Sequence, residues 1–77
     1  MQTLIFNTTT KTVTVFEGVK SQSTIIYTFT NVPTVKINES IYEVMRERYE
    51  YSEDTEKKMR EPVARFPISA TNMLIEK

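Results

Sequence analysis

The first part of the chain alternates apolar and polar residues with a period of two, which is typical of β-strands. Within residues 12–17, Val13 and Val15 share one face of the predicted strand, whereas Thr14 and Phe16 lie on the other. β-Branched and aromatic residues, which favour strands, also dominate the neighbouring segments. The pattern predicts strands at about 2–6, 12–17 and 23–30.

The third of these strands carries no charged residue. An uncharged, β-prone strand at a sheet edge is an aggregation hazard. We therefore expect it to lie centrally in the sheet, with Ile25, Tyr27 and Phe29 on one face and Ile26 on the other.

Turn residues separate the predicted strands. Asn7 opens a turn over 7–10, because Asn and Thr side chains bond nearby backbone groups, and Gly18, the one glycine, favours a positive φ. Pro33 removes a backbone donor and holds Val32 extended, which breaks the ladder. A short strand is then predicted at 34–38.

Residues 41–60 are compatible with two structures. Glu, Met, Arg and Lys favour a helix that is capped by Asn38 or Ser40 and stops near Tyr51. A strand with turns at 38–40 and 52–58 explains the Tyr spacing better, and we favour it. That strand would place one set of side chains on one face, namely Ile41, Glu43, Met45, Glu47, Tyr49 and Tyr51. The opposite face would carry Tyr42, Val44, Arg46, Arg48 and Glu50.

The last part of the chain is again extended, at 62–68 and 71–76. Pro62 and Pro67 restrict the first of these segments to an edge strand or an irregular connector. The whole pattern predicts one all-β domain over 1–77, a small antiparallel meander or sandwich. The alternative is an α+β fold with a three- to five-stranded antiparallel sheet and one helix at about 40–51.

Composition narrows the chemistry. The 77 residues include no Cys, His or Trp. Thiolate and imidazole catalysis, disulfides and zinc ribbons are therefore excluded, and Asp54 is the one Asp. We expect no enzyme activity, no metal and no cofactor. A chain this short also seldom encloses a pocket above about 300 Å³, which favours binding on a surface.

The net charge is zero, with ten basic and ten acidic side chains, which argues against nucleic acid as a partner. Residues 39–61 carry eight acidic and five basic residues, so this stretch is net −3 and the rest is net +3. The two parts can attract one another within a monomer or head to tail in a homo-oligomer. The chain opens with no signal-peptide pattern and contains no run that could cross a bilayer, so we expect a cytoplasmic protein without membrane contact.

Two candidate sites emerge. Arg forks and Tyr rings could together bind a partner, or a nucleotide or single-stranded nucleic acid. That set comprises Tyr42, Arg46, Arg48, Tyr49 and Tyr51, although interleaved Glu residues would repel phosphates. Arg65, followed by Thr71 and Asn72, could line an anion-binding site for a nucleotide.

The closing run PVARFPISATNMLIE at 62–76 resembles the small accessory proteins of T-even-type bacteriophages, as do the chain's size and its lack of Cys and His. The likeness covers about the last third of the chain and transfers no functional residues. It implies a protein that binds and inhibits or redirects a host factor, including a defence system, in the host cytoplasm. A nucleotide or anion sponge at an oligomer interface and a structural subunit of a larger particle are the alternatives.

Overall fold

The computed structural model describes residues 1–18, 24–52 and 55–77. In these ranges the chain is built from β-strands and one short 3₁₀ turn at Ile68–Ala70. The all-β prediction is confirmed. The strands are β1 (Gln2–Asn7), β2 (Thr12–Glu17), β3 (Thr24–Phe29), β4 (Thr34–Asn38), β5 (Ile41–Ser52), β6 (Thr55–Pro67) and β7 (Thr71–Glu76).

The strands form two sheets, ordered β3-β2-β1-β7 and β4-β5-β6. All pairs are antiparallel except β1 and β7, which run parallel with Gln2 opposite Thr71 and Asn7 opposite Glu76. The purely antiparallel meander is therefore only part of the architecture. The chain leaves the first sheet after β3, builds the second, and returns alongside β1 in the same direction.

The central placement expected for the third strand is wrong, because among the described strands β3 pairs with β2 alone and ends the sheet. Ile25 and Tyr27 are more than half exposed, whereas Phe29 packs against the core. A bulge also interrupts the simple alternation, since Ile25 and Tyr27 pair with consecutive residues of β2 and Ile26 is the extra residue. β7 occupies the position beside β1, which leaves the uncharged strand at the margin.

One hydrophobic core joins the two sheets. Leu4, Phe6, Val13 and Val15 project from the first sheet towards Val44 of the second, and Val32 fills the space from the β3–β4 connection. Val32 is fully buried, so the connector contributes to the core as well as changing sheets. The predicted shared face of Val13 and Val15 is confirmed.

The local turn chemistry follows the sequence. The Asn7 Oδ1 atom accepts hydrogen bonds from the Thr9 and Thr10 amides, both at 2.9 Å. Gly18 has the expected positive φ, +91°. The β4–β5 hairpin reverses at Glu39, whose φ is +43°.

β5 and β6 form the longest hairpin of the molecule, with Ile41 opposite Pro67 and Ser52 opposite Thr55. The helix at 40–51 is therefore wrong, and the turn predicted at 52–58 is too long, because β6 begins at Thr55. β6 is an edge strand, as the prolines predicted. Pro62 pairs with Met45 directly beside a bulge, at which Val63 is the extra residue of β6.

Candidate functional site

The outer part of the β5–β6 hairpin extends beyond the core, and we name it the distal arm, comprising residues 46–52 and 55–61. The ladder between β4 and β5 ends at Thr34 and Met45, followed by one further bond from the Glu47 amide to the Asn31 carbonyl at 2.9 Å. From Arg48 outward, the described strand pairings of β5 are with β6 alone. At about 3.3 Å per residue, the unsupported part of β5 is about 16 Å long.

Strand alternation gives the distal arm two faces. The tyrosine face carries Glu47, Tyr49 and Tyr51 with the cross-strand residues Glu56, Lys58 and Arg60. The arginine face carries Arg46, Arg48 and Glu50 with the cross-strand residues Lys57, Met59 and Glu61.

Glu47 is the centre of the tyrosine face. Its Oε1 atom accepts a hydrogen bond from the Tyr49 hydroxyl at 3.1 Å and lies 3.1 Å from Lys58 Nζ. Its Oε2 atom lies 3.8 Å from Arg60 Nε, and the side chain is only 12% exposed. This network ties the Tyr49 ring to a fixed carboxylate.

The same contacts shift two pKa values. The hydrogen bond from Lys58 is the main reason that the pKa of Glu47 lies below its ordinary value, and partial desolvation opposes it. The pKa of Tyr49 is raised, because its hydroxyl donates to Glu47 and the negative carboxylate disfavours a phenolate. At neutral pH the pair is therefore a neutral phenol bonded to a charged carboxylate.

A cleft opens where the distal arm meets the turns of the two sheets. It has a volume of about 140 Å³ and is lined by Lys11, Asn31, Pro33, Glu47 and Tyr49. That volume is below the roughly 300 Å³ of a typical small-molecule site, so the cleft suits one side chain or a small polar group. Further out on the same face, Tyr51 is 77% exposed.

On the arginine face, Arg48 forms ion pairs with two glutamates. Arg48 lies 2.9 Å from Glu50 and 3.6 Å from Glu61. The Nε atom of Arg46 is buried and has no hydrogen-bond partner among the described residues. The predicted Arg and Tyr set is thus divided between two faces, and Tyr42 lies apart from both, packed against the hydrophobic core.

The residues of the predicted anion site also lie apart. Arg65 is on β6, where its Nε donates to Glu43 Oε2 at 2.8 Å, while Thr71 and Asn72 are on β7 in the other sheet. Thr71 is buried with no described partner for its hydroxyl, and Asn72 is exposed. The guanidinium that was expected to bind an anion already binds a carboxylate.

Sequence reasoning missed two features of the surface. Lys11 and Asn31, which line the cleft, both adopt a positive φ in turns, and only the Asn is a residue type that signals such a turn. The strand predicted at 34–38 contains Ile37, but the pattern does not show that this side chain is 72% exposed. In the described ranges no group of three acidic residues could hold a metal ion, and no helix there is long and apolar enough to cross a membrane.

Comparison with known proteins gives no relative from which a function could be carried over. No family model matches the chain, and no curated protein or solved structure is significantly similar to it. The functional argument therefore depends on the surfaces described above.

Proposed function

We propose that this chain is a non-catalytic protein-binding module that docks a partner protein on the tyrosine face of its distal arm. In keeping with the phage resemblance, the partner is a host protein in the cytoplasm, such as a component of a defence system, which the module inhibits or redirects. The observation that carries the proposal is the exposure of Tyr49 and Tyr51 on a ribbon that extends beyond the core.

Tyrosine is well suited to this role. Its side chain supplies a large contact area with only two rotatable angles, so ordering it on binding costs little entropy, and it is enriched among interface hot spots. The bond between Tyr49 and Glu47 orders one ring before a partner arrives. The cleft beside Tyr49 offers space for one partner side chain, with Lys11 at its rim.

Charge on the distal arm favours a protein partner over a nucleic acid. Its described residues include five basic and four acidic side chains, and cross-strand partners such as Glu47 and Arg60 have opposite signs. A phosphate backbone would meet these carboxylates nearly as often as the cations. The nucleotide sponge also lacks support, because Arg65 is paired with Glu43.

Affinity capture tests the proposal. The tagged protein would be incubated with lysate of the cell in which it normally acts, and captured proteins would be quantified by mass spectrometry. We expect the Tyr49→Ala/Tyr51→Ala variant to lose at least about 10-fold of a specific partner, the effect of removing hot-spot residues.

Ile37→Ala is the matched control, since Ile37 is as exposed as Tyr51 but lies on β4, away from the distal arm. It should capture the partner as the wild type does, and circular dichroism should show that all variants are folded. Equal capture by the tyrosine variant and the control, or no specific partner, would refute the proposal.

A further inference from the structure

The four edge strands of the two sheets are not equally protected against pairing with other chains. Natural edge strands carry charges or prolines that discourage such pairing. Three edges here follow that rule: β4 contains Lys36, β6 contains Pro62 and several charges, and β7 contains Glu76. β3, the fourth edge, has the sequence TIIYTF, with neither a charge nor a proline.

The side chains of β3 are also exposed. Ile26 and Tyr27 are 52% and 53% exposed, and Ile25 is 60% exposed. No other described strand pairs with the side of β3 that faces away from β2. Backbone donors and acceptors on that side are therefore available to a further strand.

We propose that β3 pairs antiparallel with β3 of a second copy of this chain, which joins the two four-stranded sheets into one. A two-fold axis across the pair places uncharged residues opposite uncharged residues, so no charge is desolvated. Isoleucine and tyrosine side chains of the two copies then meet as cross-strand pairs, which stabilise a sheet.

Symmetry favours a second copy over an unrelated strand. Two-fold pairing covers the unprotected edge of both copies at once and closes the assembly. An unrelated extended segment would cover the β3 edge but present an open edge of its own. The β3 edge is distinct from the distal arm, so the pairing of β3 can be tested independently of the proposed function.

The oligomeric state of the purified full chain tests the pairing. We expect sedimentation velocity to show dimers whose fraction rises with concentration up to about 0.3 mM, within the range that detects weak association. Ile26→Lys should shift the population to monomer. Ile37→Lys, a matched change on the charged edge β4, should leave the dimer intact. A wild type that is monomeric at 0.3 mM, or a dimer that only Ile37→Lys disrupts, would overturn the proposal.

Thiol cross-linking supplies a second readout, because the natural chain contains no Cys. Directly opposed residues in an antiparallel pair have Cα atoms about 4.5–5.5 Å apart, within the range that a disulfide spans. Single Cys variants at positions 25, 26, 27 and 28 should form a covalent dimer fastest near the two-fold axis and more slowly on either side. Cross-linking of Ile37→Cys at the same rate as the β3 variants would contradict pairing through β3.

Discussion

Replacing Val44 by Thr probes the contact on which the two-sheet fold depends. Val44 is the fully buried residue that the second sheet contributes to the core cluster, which also contains Leu4 and Val13 of the first sheet. Thr has nearly the same shape and is also β-branched, so strand propensity and volume are preserved. The substitution therefore isolates the cost of placing a hydroxyl in the shared core.

The expected cost follows from the burial of that hydroxyl. A polar group buried without a partner costs about 1–3 kcal/mol in proteins. The whole domain has a free energy of unfolding of about 4–12 kcal/mol at ordinary per-residue values. With an unfolding entropy of about 0.16 kcal/mol/K for this length, the melting temperature should fall by about 6–18 °C.

Urea unfolding followed by circular dichroism measures the change. Ile37→Thr is the control, because it makes a β-branched residue into Thr at an exposed position of the same sheet, where the change should stay within about 0.5 kcal/mol. Equal stability of the two variants would refute a core shared between the sheets at Val44.

Further substitutions at four positions test local features. Gly18→Ala should lower the free energy of unfolding by about 1–2 kcal/mol, because φ is +91° there. Gly18→Asn should lower it less, because Asn tolerates a positive φ better than Ala. Urea titration of the two variants measures the difference. Thr3→Val removes the buried hydroxyl that donates a hydrogen bond to the Gly18 carbonyl at 2.6 Å. The free energy of unfolding should fall by about 0.5–1.5 kcal/mol, as measured by thermal unfolding. No change in stability would contradict that hydrogen bond. Glu47 has a lowered pKa, so its stabilising effect should be complete above the ordinary value of 4.5 and fade as the pH falls through the folded value. Glu47→Gln should flatten the acid side of the stability–pH curve, and an unchanged curve would show that the network does not stabilise the fold. The pKa of Tyr49 is raised from its ordinary value of 10.0, so the stability contributed by its hydrogen bond should be complete below that pH and be lost as the pH rises through the folded value. Tyr49→Phe should remove this loss of stability at alkaline pH, which the same stability–pH curve measures.

The local sequence pattern predicted the structure of those segments whose own residues determine it. The alternation at 12–17 gave the bounds of β2, and the Asn7 side chain and Gly18 form the turns that their chemistry favours. The strand interpretation of 41–51 also separated Tyr49 and Tyr51 from Arg46 and Arg48, as the register of β5 and β6 shows.

The remaining features depend on pairing between strands that are distant in the chain, which local sequence patterns do not predict. Helix-favouring residues in β5 left its state open, because the strand is stabilised by β6, which follows it in the chain. The edge position of β3 depends on β7 pairing with β1, and paired residues of β1 and β7, such as Gln2 and Thr71, lie about 70 positions apart in the chain. The ion pair between Arg65 and Glu43 likewise required knowledge of the strand register.

The docking role of the tyrosine face is tested most directly by photo-cross-linking in the cell in which the protein acts. A photoreactive amino acid would replace Tyr51, and in a parallel sample Ile37, two positions of similar exposure. The account predicts a discrete covalent adduct with a second protein at position 51 and none at position 37. Absence of an adduct at position 51, or the same adduct at both positions, would contradict it.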